Sequence, residues 1–227
     1  MFKALLLVIC LWVGCASANS ARNSSVPMGS SCTLASVGSS STGCSTSAVE
    51  GLTYQIIQEM SNGLGYKFVS LDPKYIHCSS PCVNQLQESA ASALAQAAAA
   101  ANDYITLNSA TRSSAQQYVL YQWYRNAYCG IGLAAKPGTS NHEGGRAIDT
   151  SYYSYWTPLL APYGWVHSYP DSDPVHFDYL AAQDLAQENL KAFQRLYNRN
   201  EGGSLVEDGL YGPATEAALA ASPCDGW

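Results

Sequence analysis

Residues 140–149 of this 227-residue chain read Ser140-Asn141-His142-Glu143-Gly144-Gly145-Arg146-Ala147-Ile148-Asp149. The segment sets an imidazole and a carboxylate seven residues apart. Gly144 and Gly145 let the backbone between them turn tightly, and Ala147 leaves space beside the site. Further on stands Asp173-Pro174-Val175-His176-Phe177-Asp178-Tyr179, where Val175, Phe177 and Tyr179 alternate with His176 and Asp178. That alternation predicts a strand with one apolar and one polar face. Two histidines and one carboxylate make a three-ligand set that leaves a zinc coordination position open for water, the requirement of a catalytic metal centre. A calcium site from Asp171, Asp173 and Asp178 is the alternative, but it lacks the oxygen-rich loop spacing such sites use.

The elements that must position these residues are short and mixed. Ser47-Ala48-Val49-Glu50 reads as a capping box, followed by Val49, Leu52, Ile56 and Met60 at helical spacing. A strand is expected over 66–71, a second helix over about 83–101 with an alanine-rich surface, and a strand over 103–107. A third helix opens at Ser114-Ala115-Gln116-Gln117, with Val119, Leu120, Trp123, Tyr124 and Ala127 on one side, read as core. Helices and strands without regular alternation indicate an α+β domain: a small antiparallel sheet with flanking helices around the metal site, plus a short helical C-terminal segment.

Composition narrows the class further. Hydrophobic residues are 47% of the chain, enough for a proper core. The formal net charge of −6 and a charged content of 12% argue against a nucleic-acid binder, which needs a basic face. Residues 1–18 read as a signal peptide: Lys3, an apolar run from Ala4 to Val13, and Ala16-Ser17-Ala18 as a cleavage site. Cys15 as a lipoprotein site is a minor alternative. No segment is long enough for a membrane span. The expectation is a secreted, extracellular monomer, in the periplasm or cell wall if the source is bacterial. Asn23-Ser24-Ser25 is a glycosylation sequon if the source is eukaryotic. Residues 19–50 form a Ser/Gly-rich lead.

Six cysteines follow the signal segment: Cys32, Cys44, Cys78, Cys82, Cys129 and Cys224. In an exported chain they read as disulfides rather than a thiolate zinc site, with the pairing open. One arrangement would close the lead into a ring through Cys32 and Cys44.

Residues 140–149 resemble the S-x-H-x-x-G-x-A-x-D signature of the D-alanyl-D-alanine carboxypeptidase family of zinc peptidases (the VanY-like group), matching every fixed position. Asp173-x-x-His176 resembles the second motif, an acidic residue three before the last histidine; many members carry Glu there. The resemblance implies His142, Asp149 and His176 as ligands of one Zn²⁺ per chain and Asp173 as general base. Arg112, in Ser109-Ala110-Thr111-Arg112-Ser113, resembles the arginine of the family's S-x-x-R-S segment, which implies a role at a substrate carboxylate or the developing oxyanion. Ser140 is expected to support the ligand loop or bind substrate. Some close members have a further histidine where Asp171 stands; His167 is the nearby substitute, and His77 has no expected catalytic part.

A second resemblance lies in residues 181–227, where Phe193-Gln194 and D-G-x-x-G-P-x-T at Asp208–Thr215 look like the small three-helix peptidoglycan-binding domain of wall hydrolases. Wall binding and simple buttressing are the two readings, the first favoured. The peptidase domain then spans 51–180. The implied function is a secreted zinc metallopeptidase acting on peptidoglycan stem peptides, foremost a D-alanyl-D-alanine carboxypeptidase. An L-Ala-D-Glu or cross-link endopeptidase, and a non-catalytic zinc-stabilised wall-binding module, are the alternatives.

Overall fold

Residues 32–227 are described by the computed structural model. The signal segment 1–18, the sequon at Asn23 and the first residues of the Ser/Gly lead lie outside the described residues. Seven helices run in order: α1 Leu34–Gly38, α2 Glu50–Gln58, α3 Glu88–Ala101, α4 Ser114–Arg125, α5 Tyr153–Leu160, α6 Ala186–Glu201 and α7 Pro213–Ala221. Six three-residue strands, β1 Phe68–Ser70, β2 Ile76–Cys78, β3 Gln85–Gln87, β4 Ile105–Leu107, β5 Ala147–Asp149 and β6 His176–Asp178, form three two-stranded pairs. The architecture is α+β. Two of the pairs, β1–β3 and β5–β6, are antiparallel, while β2–β4 is parallel.

Two buried clusters hold the elements. One joins Leu34 of α1, Val49, Leu52, Ile56 and Met60 around α2, and Val119 and Trp123 of α4 to Leu190, Phe193 and Leu219 of α6 and α7. The other gathers the small face of α3 (Ala90, Leu94, Ala97, Ala98) against Ile105, Ile148, Trp156 and Phe177. The alanines of α3 are thus a packing surface: their small side chains allow close approach of α5 and the strands. Arg112 leads into α4 of the first cluster, while β5 and β6 carry Ile148 and Phe177 of the second.

Several expectations change. No capping box forms at Ser47, because Ser45 caps a short 3₁₀ turn over Thr46–Val49 by accepting from the Ser47 N–H, and α2 starts behind that turn. The second helix starts at Glu88 rather than near Val83, since Gln85–Gln87 pair with Ser70–Phe68 and Val83 bridges Thr111. On α4, Trp123 is buried but Tyr124 is exposed, and the helix ends at Arg125, before the exposed Ala127. The polar face of β6 is as buried as its apolar face, because it looks into the site rather than to solvent.

The disulfides are Cys32–Cys224, Cys44–Cys129 and Cys78–Cys82, so the lead is not closed by Cys32 and Cys44. Cys32 meets the far end of the chain because Thr33 bridges Pro223 and the Leu34 N–H bonds the Ser222 carbonyl. Three disulfides fit an oxidising, extracellular setting. Among the described residues no helix is long and apolar enough to cross a membrane.

Candidate metal centre

The antiparallel pairing of β5 and β6 sets Asp149 directly opposite His176. His142 reaches the same point from the loop before β5. That loop is held by Glu143, whose buried carboxylate accepts the Gly138 N–H at 2.9 Å and the Ser140 N–H at 3.1 Å. Burial outweighs those hydrogen bonds and pushes the Glu143 pKa up to about 8. Gly145 turns the loop back at φ +64, and a Cβ there would collide with the Phe68 ring. Residues 108–112 clamp both ligand segments: Asn108 N–H bonds the Asp149 carbonyl at 2.8 Å, Asp149 N–H the Ser109 carbonyl at 2.9 Å, and Arg112 N–H the His142 carbonyl at 3.0 Å.

Three donor atoms converge. His142 Nε2 lies 3.2 Å from Asp149 Oδ1 and 3.1 Å from His176 Nδ1, and His176 Nδ1 lies 3.2 Å from Asp149 Oδ1. A tetrahedron with bonds of about 2.0 Å has edges of about 3.3 Å, so this triangle has the size of one face of a tetrahedral zinc site. The second nitrogens fix the tautomers. His142 Nδ1 donates to the Ala110 carbonyl at 2.7 Å, and His176 Nε2 donates to Asp178 Oδ1 at 2.8 Å. Both imidazoles can therefore turn a lone pair toward the Asp149 carboxylate, and the three donor atoms together could hold a cation. The donor set fits a zinc-type ion. Among the described residues no other group of His, Cys, Asp or Glu is arranged to hold a metal; Asp171, Asp173 and Asp178 do not form one.

The electrostatics agree. Burial lowers the His142 pKa, keeping the ring neutral as a ligand must be. Burial alone would raise Asp149, but His142, His176 and Arg112 hold it well below the usual carboxylate range. Burial likewise disfavours charge on His176, yet its bonds to Asp149 and Asp178 outweigh this and raise its pKa to about 9. At that value a proton is the competitor a metal must displace from Nδ1.

Asp178 is itself held, accepting Asn141 Nδ2 at 2.8 Å and Ser168 Oγ at 2.6 Å. Arg146 in turn donates to Asn141 Oδ1, so a polar chain runs from the surface to His176. Sequence reasoning missed Asp178 as a partner of His176. The signal was present, since two residues apart on a strand is the same face.

The three donors open into a cleft of about 460 Å³ lined also by Arg112, Ser140 and Asp173, with Leu133, Ala134 and Ala135 as an apolar stretch and Tyr169 beside them. Arg112 Nη2 pairs with Asp149 Oδ2 at 3.4 Å and with Ser109 Oγ at 3.1 Å, while Nη1 donates to Gln117 Oε1 at 2.9 Å. Burial, and then the negative charge of Asp149, raise the Asp173 pKa above that of a free aspartate. His167 is not in the cleft: it bonds the Pro174 carbonyl at 2.7 Å and stacks on Phe177, supporting the Asp173–Pro174 turn from behind. His77 stacks on Tyr104 and also lies outside the cleft.

Paired strands and a clamped loop thus present two histidines and an aspartate beside a cleft, a group that could hold a metal ion. In sequence, residues 82–160 match the family model of the D-alanyl-D-alanine carboxypeptidases (VanY). The match supports a peptidase acting on peptidoglycan-derived peptides in general. It covers Arg112, Ser140, His142 and Asp149 and ends before Asp173 and His176, which the fold brings to them. No curated protein matches the chain.

Proposed function

We propose that the chain is a secreted zinc metallopeptidase that hydrolyses peptidoglycan stem peptides, with D-alanyl-D-alanine carboxypeptidase as its activity. The observation carrying this reading is the triangle of His142 Nε2, Asp149 Oδ1 and His176 Nδ1, its lone pairs oriented by Ala110 and Asp178, at the edge of a cleft that also holds a free acid and a guanidinium. Bound zinc would supply water acidified to near neutral pH and polarise the scissile carbonyl. Asp173 takes the proton of the attacking water and returns it to the leaving amine. Its raised pKa suits both halves of that task, since a stronger base holds the proton longer. Arg112, fixed by Gln117, Ser109 and Asp149, faces the carbonyl oxygen of the scissile bond. Leu133, Ala134 and Ala135 give the small methyl of an alanine an apolar wall, and Ser140 lines the same cleft.

Wall binding by residues 181–227 stays part of the proposal, and the same helices also pack against the site. Leu190 and Phe193 share a core with Leu52 and Trp123, and Asn189 Nδ2 bonds the carbonyls of Arg112 and Glu143, tying α6 to the site's own loops.

The test is mass spectrometry of stem peptides ending in D-Ala-D-Ala after incubation with residues 19–227 and one equivalent of zinc. Loss of the terminal D-alanine, reduced at least about a hundredfold in Asp173→Asn with metal content unchanged, is the expected result. Cleavage at an internal bond moves the enzyme to the endopeptidase branch. Metal binding without cleavage of any stem peptide refutes the reading.

A further inference from the structure

A second recess of about 380 Å³ lies on the far side of Arg112. Arg112, Leu120, Ile131 and Asp149 line both it and the metal cleft, so the two spaces meet at the guanidinium. Two of the three disulfides frame it: Cys44 and Cys129 are both in its wall, and Ser80 and Pro81 come from the small ring closed by Cys78–Cys82. Buried Thr111, Gln116 and Trp123 also line it, and Gln116 Nε2 contacts Thr46 Oγ1 at 3.3 Å. Covalent struts on two sides preform the space, and a preformed space loses little entropy when a ligand enters it.

The lining chemistry is hydroxyl- and amide-rich, from Ser45, Ser80, Asn108 and Ser109. Arg112 is its one cation, and its one carboxylate, Asp149, is already engaged by His142, His176 and Arg112. Such a lining suits the amides and polar side chains of a peptide.

Direction follows from Asp173. The group that returns a proton to the leaving amine must lie beside that amine, and Asp173 lines the metal cleft but not the recess. The amine side of the scissile bond therefore occupies the metal cleft, and the acyl side points past Arg112.

Resting on the peptidase reading, we infer that the recess framed by Cys44–Cys129 and Cys78–Cys82 is the subsite for the acyl-side residues of the substrate, the peptide segment upstream of the scissile bond. The enzyme then reads the stem as well as its D-alanyl end.

Ser80 makes no side-chain hydrogen bond among the described residues, so Ser80→Trp fills the recess without breaking one, and Ser80→Ala is the unfilled control. Two measurements test the inference. In the first, kcat/KM is compared for a full stem pentapeptide and for acetyl-D-Ala-D-Ala. Ser80→Trp is expected to lower the ratio of long to short by roughly tenfold, chiefly through KM, with Ser80→Ala between it and the wild type. In the second, calorimetry measures binding of the acyl-side product, the stem tetrapeptide, which needs no turnover. A folded, metal-binding Ser80→Trp with wild-type ratio and wild-type tetrapeptide affinity overturns the inference. A wild type that cleaves neither substrate refutes the peptidase reading instead, and the tetrapeptide then decides the subsite alone: Ser80→Trp weakens its binding if the recess is its site, while equal or absent binding rejects it.

Discussion

Asp178→Ala isolates what a residue outside the metal triangle contributes to it. The carboxylate accepts the His176 Nε2 proton at 2.8 Å and is 1% exposed, so no bulk water stands ready to replace it. Without it the imidazole has no reason to keep its proton on Nε2. Tautomers with a proton on Nδ1 become competitive, and each places a hydrogen where a metal lone pair is needed. Loss of such a partner weakens metal affinity by about 10–100-fold, or roughly 1.4–2.7 kcal/mol. The same change removes the acceptor of Asn141 Nδ2 at 2.8 Å and the nearer of the two acceptors of Ser168 Oγ, at 2.6 Å. The metal-free protein is therefore also expected to lose about 1–3 kcal/mol of stability. Competition against a chromophoric chelator reads the affinity, and urea denaturation of the stripped protein reads the stability. Asp178→Asn, which keeps an acceptor oxygen, should fall between. If Asp178→Ala holds zinc as tightly as the wild type, His176 is not oriented by Asp178 and the tautomer argument is wrong.

Three further outcomes follow from the same geometry. His176 has a folded pKa raised from 6.5 to about 9, so its contribution to metal-free stability is complete below pH 6.5 and lost as pH rises through 9; thermal melts of stripped protein should fall across that window, and a flat profile would contradict it. Glu59 is buried beside Arg195 and Arg199 at 2.8 and 2.9 Å, and although burial opposes ionisation the two guanidiniums hold its pKa below 4.5. Its contribution is present above pH 4.5 and lost as pH falls through the depressed value, so Glu59→Gln should cost about 1–3 kcal/mol in urea at neutral pH, with the difference from wild type shrinking in acid. Replacing Cys32 and Cys224 together by serine opens a connection 192 residues apart in sequence and should cost about 2–5 kcal/mol by denaturant titration, with little change in metal affinity.

The gathering of His142, Asp149 and His176 into a group that could hold a metal was legible because histidine and aspartate at that spacing suit such chemistry, and the alternation through His176 declared the strand that carries it. Its pairing with β5 was not, since strand partners are chosen by three-dimensional packing rather than local pattern. Asp178 shared a face with His176 in the sequence pattern, but nothing in the pattern distinguished an aspartate that orients a ligand from one that meets solvent. Ser45 took the capping role expected of Ser47 because either serine can cap a turn, and the buried contacts of Thr46 and Val49 decide between them. The cysteine pairs were least legible: Cys32 reaches Cys224 only because Thr33 bridges Pro223 across almost the whole length of the chain.

That last bond makes the polypeptide between Cys32 and Cys224 a covalent circle. A linear enzyme cut once in an exposed loop becomes two fragments free to diffuse apart. A circular one becomes a single molecule with a nick. The irregular stretch 126–139, whose exposed Leu133 lines the cleft, is the natural place for such a cut. After it, the two pieces stay joined at Cys32–Cys224, and the ligands, all beyond the cut, stay on one piece with their strand pairing intact. An enzyme built this way can work among other proteases, and a first cleavage need not end its service.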